Sequence, residues 1–111
     1  MGRINTYRNI IKKILIEFSQ YPSTIKTLER ITIFDETQNH YQLVSIGWLN
    51  KNRIYHCMFH FDIKDDKIWL QHNGTDVKIA DKLVAHGISK KDIVLGFQPE
   101  SYRSYTGFAI K

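Results

Sequence analysis

The sequence predicts an α+β fold, in which an N-terminal helix packs on an antiparallel β-meander of about four strands, followed by a second helix and a C-terminal strand or extended tail. The spacing of apolar residues indicates this fold. Apolar residues recur at intervals of three and four over residues 4–20, which is typical of an amphipathic helix. Over residues 29–73 they alternate with polar ones, and β-branched and aromatic residues are frequent, as in strands.

The first predicted helix carries an apolar stripe along one side. The residues of this stripe are Ile4, Tyr7, Ile10, Ile11, Ile14, Leu15 and Phe18. Pro22 follows shortly after and predicts the end of the helix, because a proline cannot continue the helical hydrogen bonding. We expect the stripe to cover one face of the sheet.

Four strands are predicted, at residues 29–35, 40–49, 53–64 and 67–73. Short polar turns join the second strand to the third and the third to the fourth, so both pairs are expected to be antiparallel hairpins. If the first hairpin closes at Lys51-Asn52, its opposed residues are Val44 with Phe59, Ile46 with Cys57, and Trp48 with Tyr55. If the second closes at Asp65-Asp66, they are Phe61 with Leu70 and Ile63 with Ile68.

The two faces of this meander are expected to differ. The apolar residues of both hairpins share one face, which the first helix would cover. Because side chains alternate along a strand, Cys57 is expected to point towards this helix and His56 away from it. The other face is expected to carry His56, Met58, His60, Asp62, Trp69 and Gln71.

The C-terminal third predicts a second helix and an irregular end. Residues 77–86 place Ile79, Leu83 and Val84 inward, and Gly87 is positioned to end that helix in a left-handed conformation. Ser89 is positioned to cap one further turn. The apolar run 93–97 predicts a buried strand or extended segment, and Pro99 opens a tyrosine-rich tail. With no linker or repeat, residues 1–111 are expected to form one domain.

Composition and charge limit the function classes. No apolar run is long enough for a signal segment or a membrane span, and the lone Cys57 suits a reducing cytoplasm, where we expect the protein to be located. The net charge of +5 permits an acidic partner. Phosphate contacts are conceivable from basic residues on the first helix and from Arg103, which lies between tyrosines. Direct DNA binding therefore stays open as an alternative function.

The histidines raise a metal hypothesis that the strand geometry weakens. His56 and His60 on one strand stand about 13 Å apart and are too distant to share an ion. His60 and Asp62 remain as a pair that needs ligands from elsewhere, so a metal-dependent enzyme is the most distant alternative. Glycine-rich phosphate loops and nucleophile turns are not found in the sequence. We therefore predict no catalytic, cofactor or metal site.

A contact surface is the favoured alternative to a reaction centre. Met58 and Trp69, beside His56 and His60, would form a mixed apolar and polar surface suited to a protein interface. Burial of Met58 and Trp69 across a two-fold axis would make a homo-oligomer. Alternatively, the tail or the second helix folds over this face and makes it part of a second small core.

Several segments together resemble the XisI family, the fdxN element excision controlling factors of cyanobacteria. The resemblance covers nearly the whole chain, from Tyr7-Arg8 onward. The segments that carry it most clearly are His40-Tyr41-Gln42-Leu43-Val44-Ser45-Ile46-Gly47-Trp48, Ile63-Lys64-Asp65-Asp66-Lys67-Ile68-Trp69-Leu70, Ile79-Ala80-Asp81-Lys82-Leu83-Val84, Asp92-Ile93-Val94-Leu95-Gly96-Phe97 and Arg103-Ser104-Tyr105-Thr106-Gly107-Phe108-Ala109. The chain departs from the family at Asp65-Asp66, where Asp-Gly is usual, and at His56, which replaces a common glycine.

The resemblance implies an accessory role in programmed DNA excision, a DNA rearrangement of heterocyst-forming cells. It implies a partner, the nuclease-like XisH protein, with DNA contacted through or beside that partner, and it implies neither catalytic residues nor a cofactor. We therefore expect a non-enzymatic control protein that docks through the outer sheet face or the tail. The expected partner-binding residues are Arg103, Tyr105, Thr106, Trp69, His60 and Met58.

Overall fold

The computed structural model describes residues 2–23 and 25–111. Helix α1 spans Gly2–Ser19 and buries Tyr7, Ile11, Ile14, Leu15 and Phe18 against the sheet, as its apolar stripe predicts. Within the described ranges, no helix has the length and apolar character needed to cross a bilayer.

The sheet has five strands in the order β1-β2-β3-β4-β5. The strands are β1 Glu29–Asp35, β2 His40–Leu49, β3 Asn52–Lys64, β4 Lys67–Asn73 and β5 Ile93–Leu95. The first four pair in antiparallel fashion, which confirms the predicted meander, and β5 pairs in parallel with β4. A sheet of this kind with helices on one side is an α+β fold, as expected.

The second hairpin confirms its predicted register. Phe61 lies opposite Leu70 and Ile63 lies opposite Ile68. The turn is tight, and Asp65 and Asp66 both adopt positive φ, at 53° and 62°. Left-handed backbone of this kind favours glycine, so the second aspartate carries the local strain expected of a non-glycine residue there.

The first hairpin differs from its predicted register. Its two-residue turn is Asn50-Lys51, with Asn50 at a φ of 58°, so that Val44 pairs with Cys57 and Trp48 with Arg53. A β-bulge then inserts one extra residue of β3 between the pairs formed by Val44 and Leu43. Asparagine tolerates positive φ, and this tolerance permits a two-residue turn one position earlier than predicted.

The shifted turn and the bulge change which residues lie on each face of the sheet. Tyr41 and Leu43 of β2 join Phe59 and Phe61 of β3 in the core beneath α1. Cys57 pairs with Val44 and so lies on the outer face, which contradicts its expected direction towards the helix. The same correction applies to Val44, Ile46, Trp48 and Tyr55, which were expected beneath the helix and lie on the outer face. The expectation that Met58 lies outside is also wrong, because Met58 packs against the core. The expectation that His56 lies outside is wrong as well, because His56 pairs with Ser45 on the face that α1 covers, and its imidazole lies 3.1 Å from the backbone carbonyl of Gly74.

The C-terminal third completes the core and covers part of the outer face. Helix α2, Ile79–Ala85, buries Ile79 and Leu83 in the same core as α1. Gly87 has a φ of 97°, and Ser89 caps a 3-10 turn at Lys90–Asp92, as predicted. A short helix that the sequence did not predict, α3 at Glu100–Arg103, follows Pro99.

Candidate functional site

Two strands bring three polar side chains together on the outer face of the sheet. His40 begins β2 and lies directly opposite Asp62 of β3, and His60 lies two residues before Asp62 on the same face. His40 Nδ1 lies 2.7 Å and His60 Nε2 lies 2.8 Å from the same carboxylate oxygen, Asp62 Oδ1. We call His40, His60 and Asp62 the histidine cluster.

A second layer of contacts holds the histidine cluster in place. Gln71 of β4 donates from Nε2 to Asp62 Oδ2 at 3.1 Å. Gly96 permits this position of the glutamine, because a Cβ atom there would lie 2.5 Å from Gln71 Oε1. The carboxylate therefore has fixed partners on both of its oxygens.

The hydrogen bonds of the cluster displace two pKa values in opposite directions. The bond to Asp62 raises the pKa of His40 above its usual 6.5. Burial alone would raise the pKa of Asp62, but the hydrogen bonds from His40, His60 and Gln71 outweigh burial and hold that pKa below 3.8. Ionised Asp62 and protonated His40 therefore stabilise each other.

This coupling predicts a pH-dependent contribution to stability. The bond between His40 and Asp62 contributes fully below about pH 6.5, and its contribution is lost as the pH rises through the raised pKa of His40. The contribution of Asp62 is lost in the acid range, as the pH falls below 3.8 through its lowered pKa. We therefore expect His40→Ala to lower the free energy of unfolding more at about pH 5.5 than at about pH 8.5.

Urea unfolding of wild type and His40→Ala at these two pH values tests this expectation. His86→Ala is the matched control, because His86 is exposed and its imidazole lies against the carbonyl of Lys82 in its own helix. An equal loss for His40→Ala at both pH values would contradict the coupling.

The tail residues expected to bind a partner mostly make internal contacts. Arg103 donates from Nε to the carbonyl of Gln98 and from Nη1 to that of Ile110, both at 3.0 Å. Thr106 Oγ1 donates to the carbonyl of Arg103. Tyr105 remains 82% exposed. A partner-binding role for these residues stays a prediction, and Tyr105 is the one whose ring is most available.

Trp69 lies where the tail covers the outer face. Its ring has Lys64 Nζ at 4.4 Å and the Arg103 guanidinium at 5.3 Å from its centroid. A Cβ atom on Gly96 would lie 3.2 Å from this ring, so the segment after β5 packs directly on it. The alternative in which the tail folds over this part of the outer face therefore describes the structure better than an exposed Trp69.

The rest of the outer face carries several exposed apolar side chains. By strand pairing it comprises Ile31, Ile33, Ile46, Trp48, Tyr55 and Cys57 around Val44, which is itself buried, and we call this surface the open face. Trp48 is 51% exposed and Tyr55 is 70% exposed. Large aromatic side chains with such exposure in an apolar patch are typical of a contact surface.

The chemical environment of Cys57 does not favour nucleophilic catalysis. The thiol is half-buried, and this burial raises its pKa. Its Sγ donates to the backbone carbonyl of Phe59 at 3.4 Å rather than to an imidazole. A protonated thiol is a poor nucleophile, so Cys57 serves the packing of the open face.

Several cations of α1 are engaged by nearby polar groups. Arg3 lies 3.4 Å from Asp92, and Lys12 lies 3.0 Å from Glu36. Arg8 donates to Tyr41, Asn5 and Asn39. The basic side of this helix is therefore less available to phosphates than the sequence suggests.

Fold and site together define a class: a small α+β protein with its helical core on one side of a five-stranded sheet and an open apolar surface on the other. Comparison with known proteins specifies the family. The model of the family described as XisI protein matches residues 1–110, so the chain belongs to the XisI family. No curated protein matches the chain.

Two crystal structures from Anabaena variabilis ATCC 29413 are similar to the chain. One is a XisI-like protein with 43% identity and a TM-score of 0.89, and the match covers 95% of this chain and 96% of that one. The other is the fdxN element excision controlling factor XisI, with 32% identity and a TM-score of 0.83, covering 98% and 99% of the two chains. The fold predicted from the sequence is thus confirmed.

Proposed function

We propose that this protein is a non-enzymatic control factor in programmed DNA excision and that it acts in the cytoplasm by binding a nuclease-like XisH protein. The observation that carries the proposal is similarity over almost the entire length to the fdxN element excision controlling factor XisI. At 32% identity the likeness extends to sequence as well as fold, which supports a shared role.

The open face supports a mechanism of docking. Its aromatic residues Trp48 and Tyr55 lie on adjacent strands, and the Arg53 guanidinium lies 5.3 Å from the centre of the Trp48 ring. Tryptophan, tyrosine and arginine are the residues that most often provide binding energy at protein interfaces. We assign the docking surface to the open face, and the exposed tail around Tyr105 is the competing location.

The test is co-purification of the two proteins. We expect the untagged chain to remain bound when a tagged XisH-like protein is purified from a host that co-expresses both. A tagged unrelated nuclease is the control. No complex at micromolar concentrations of both proteins would contradict the proposal.

The alternative function, direct DNA binding, can be tested with the same purified protein by its dependence on salt. Phosphate contacts weaken steeply as salt rises, because counterions must be displaced from the DNA. We expect the chain alone to show no salt-dependent retention of duplex DNA, since Arg3 and Lys12 are paired with acidic residues. Strong low-salt binding that disappears with added salt would favour the DNA-binding alternative.

We also propose that the chain forms a homo-oligomer, but through a different surface from the one that the sequence predicts. The expected anchors, Met58 and Trp69, are packed against the core and the tail, so the open face would bury the aromatic pair across a two-fold axis instead. Light scattering of the purified chain, with and without the XisH-like protein, would show whether self-association competes with the partner. A monomer at all concentrations would contradict the oligomer.

A further inference from the structure

We infer that the histidine cluster binds a divalent transition-metal cation of the zinc class. His40 Nδ1, His60 Nε2 and one oxygen of Asp62 all lie within 4.8 Å of one another. Imidazole and carboxylate are the ligands that zinc, cobalt and nickel prefer, whereas calcium and magnesium prefer oxygen alone.

The directions of the donor atoms support the site. Both imidazole nitrogens point at the same carboxylate oxygen, at 2.7 and 2.8 Å. With bonds of about 2.0–2.1 Å, the ligand atoms of a tetrahedral zinc are roughly 3.3 Å apart. For a cation to replace the two hydrogen bonds, each nitrogen-to-oxygen distance needs to open by about 0.5 Å. The two nitrogens, which lie within 4.8 Å of each other, need to approach by no more than about 1.5 Å, and side-chain rotations provide both changes.

Regular secondary structure positions all three ligands. His60 and Asp62 alternate with core residues along β3, and the backbone pairing of β2 with β3 sets His40 opposite Asp62. Strands hold side chains more precisely than loops do. The separation of ligands is thus fixed by the sheet and not by a mobile segment.

Gln71 provides the outer layer that metal sites use to orient a carboxylate. It holds Asp62 Oδ2 at 3.1 Å and leaves Oδ1 directed at the two imidazoles. Such outer hydrogen bonds typically contribute about 10- to 100-fold to metal affinity. The close approach of Gly96 keeps Gln71 in that position.

The exposure of the three ligands increases from one side of the cluster to the other. The side chains of Asp62, His60 and His40 are 16%, 27% and 47% exposed. A cation therefore has a path from solvent past His40, and the fourth coordination position is left on the solvent side. A site with three protein ligands and one open position accepts water or a ligand from another molecule.

Calorimetric titration of the tag-free protein with zinc chloride tests the inference. We expect binding at a dissociation constant of about 1 µM or tighter. His60→Ala and Asp62→Asn should each weaken binding by at least about 100-fold, and Gln71→Ala by about tenfold. Circular dichroism of each variant verifies that it is folded, and Asp62→Asn preserves the shape of the side chain.

His86→Ala is the matched control, because His86 lies on α2's C-terminal side and contacts a backbone carbonyl. It should bind zinc as the wild type does. Cobalt binding gives a second readout, since its visible absorption reports nitrogen and oxygen coordination. Absence of zinc binding to the wild type at about 1 mM, or equal affinity in folded Asp62→Asn, would overturn the inference.

Discussion

Phe61→Ala is expected to lower the free energy of unfolding by about 3–5 kcal/mol, because it removes a fully buried ring from the centre of the core. Phe61 lies between Tyr41 on β2 and Leu70 on β4, and both neighbours are fully buried. The surrounding side chains are held by two strand pairings and by α1, so they cannot fill the cavity. The free energy of unfolding of a typical domain is about 5–15 kcal/mol, so this loss would be a large fraction of it.

Urea unfolding of the wild type and the variant measures this loss. Tyr105→Ala is the matched control, because it also truncates an aromatic ring but at a position that is 82% exposed. It should change the free energy of unfolding by less than about 0.5 kcal/mol. A loss below about 1 kcal/mol for Phe61→Ala would contradict the placement of this ring in the core.

The double substitution Trp48→Ala with Tyr55→Ala is expected to weaken binding to the XisH-like partner by about 100-fold or more. Both rings are on the open face, and both are more than half exposed in the isolated chain. Their removal should therefore reduce contact with a partner while it leaves the core beneath α1 intact. Calorimetric titration of the partner into each chain measures the change.

Tyr102→Ala with Tyr105→Ala is the control that separates the two candidate surfaces. These tail tyrosines are 51% and 82% exposed, and their centroids lie 6.0 Å apart. We expect this double variant to bind within about threefold of the wild type. Loss of affinity in the tail variant with none in the open-face variant would assign docking to the tail.

The fold was predictable because local signals agree with one another. The helical period of α1 and the apolar pairs of the second hairpin each predict a buried side, and the structure buries those sides together. The register of the second hairpin is predicted correctly because its charged turn and its apolar pairs define the same pairing. Element boundaries followed from the polar turns between the strands.

The error in the first hairpin arose from two local features that periodicity does not reveal. The left-handed conformation of Asn50 places the two-residue turn one position earlier than predicted, and the bulge at Met58 adds one residue to β3. Each feature shifts the register, so Cys57 moved outward and Met58 moved to the core. Alternation assigns faces correctly only between such irregularities.

Because of the same error in register, the sequence did not place His40 beside His60 and Asp62. In the predicted register this residue lies opposite Ile63, whereas the shifted turn and the bulge together set it opposite Asp62. The third member of the histidine cluster was therefore missed, although His60 and Asp62 were recognised as a pair. Their i, i+2 spacing on a strand that follows a hairpin was the signal that a cross-strand residue should be sought.

The tail could not be predicted at the level of side chains. Arg103 resembles a binding residue in sequence because it lies among tyrosines, yet its donors bind the carbonyls of Gln98 and Ile110. Those carbonyls become neighbours only after α3 turns the chain back. Sequence patterns identify a donor, but the fold determines whether its acceptor is internal.

Oxidative footprinting of the chain, free and bound to the XisH-like protein, tests the docking mechanism most directly, since it reports the solvent exposure of individual side chains. We predict that complex formation protects Trp48 and Tyr55 from labelling while Tyr105 is labelled as in the free chain. Protection of Tyr105 with unchanged labelling of Trp48 and Tyr55, or no protection at any of the three rings, would contradict docking through the open face.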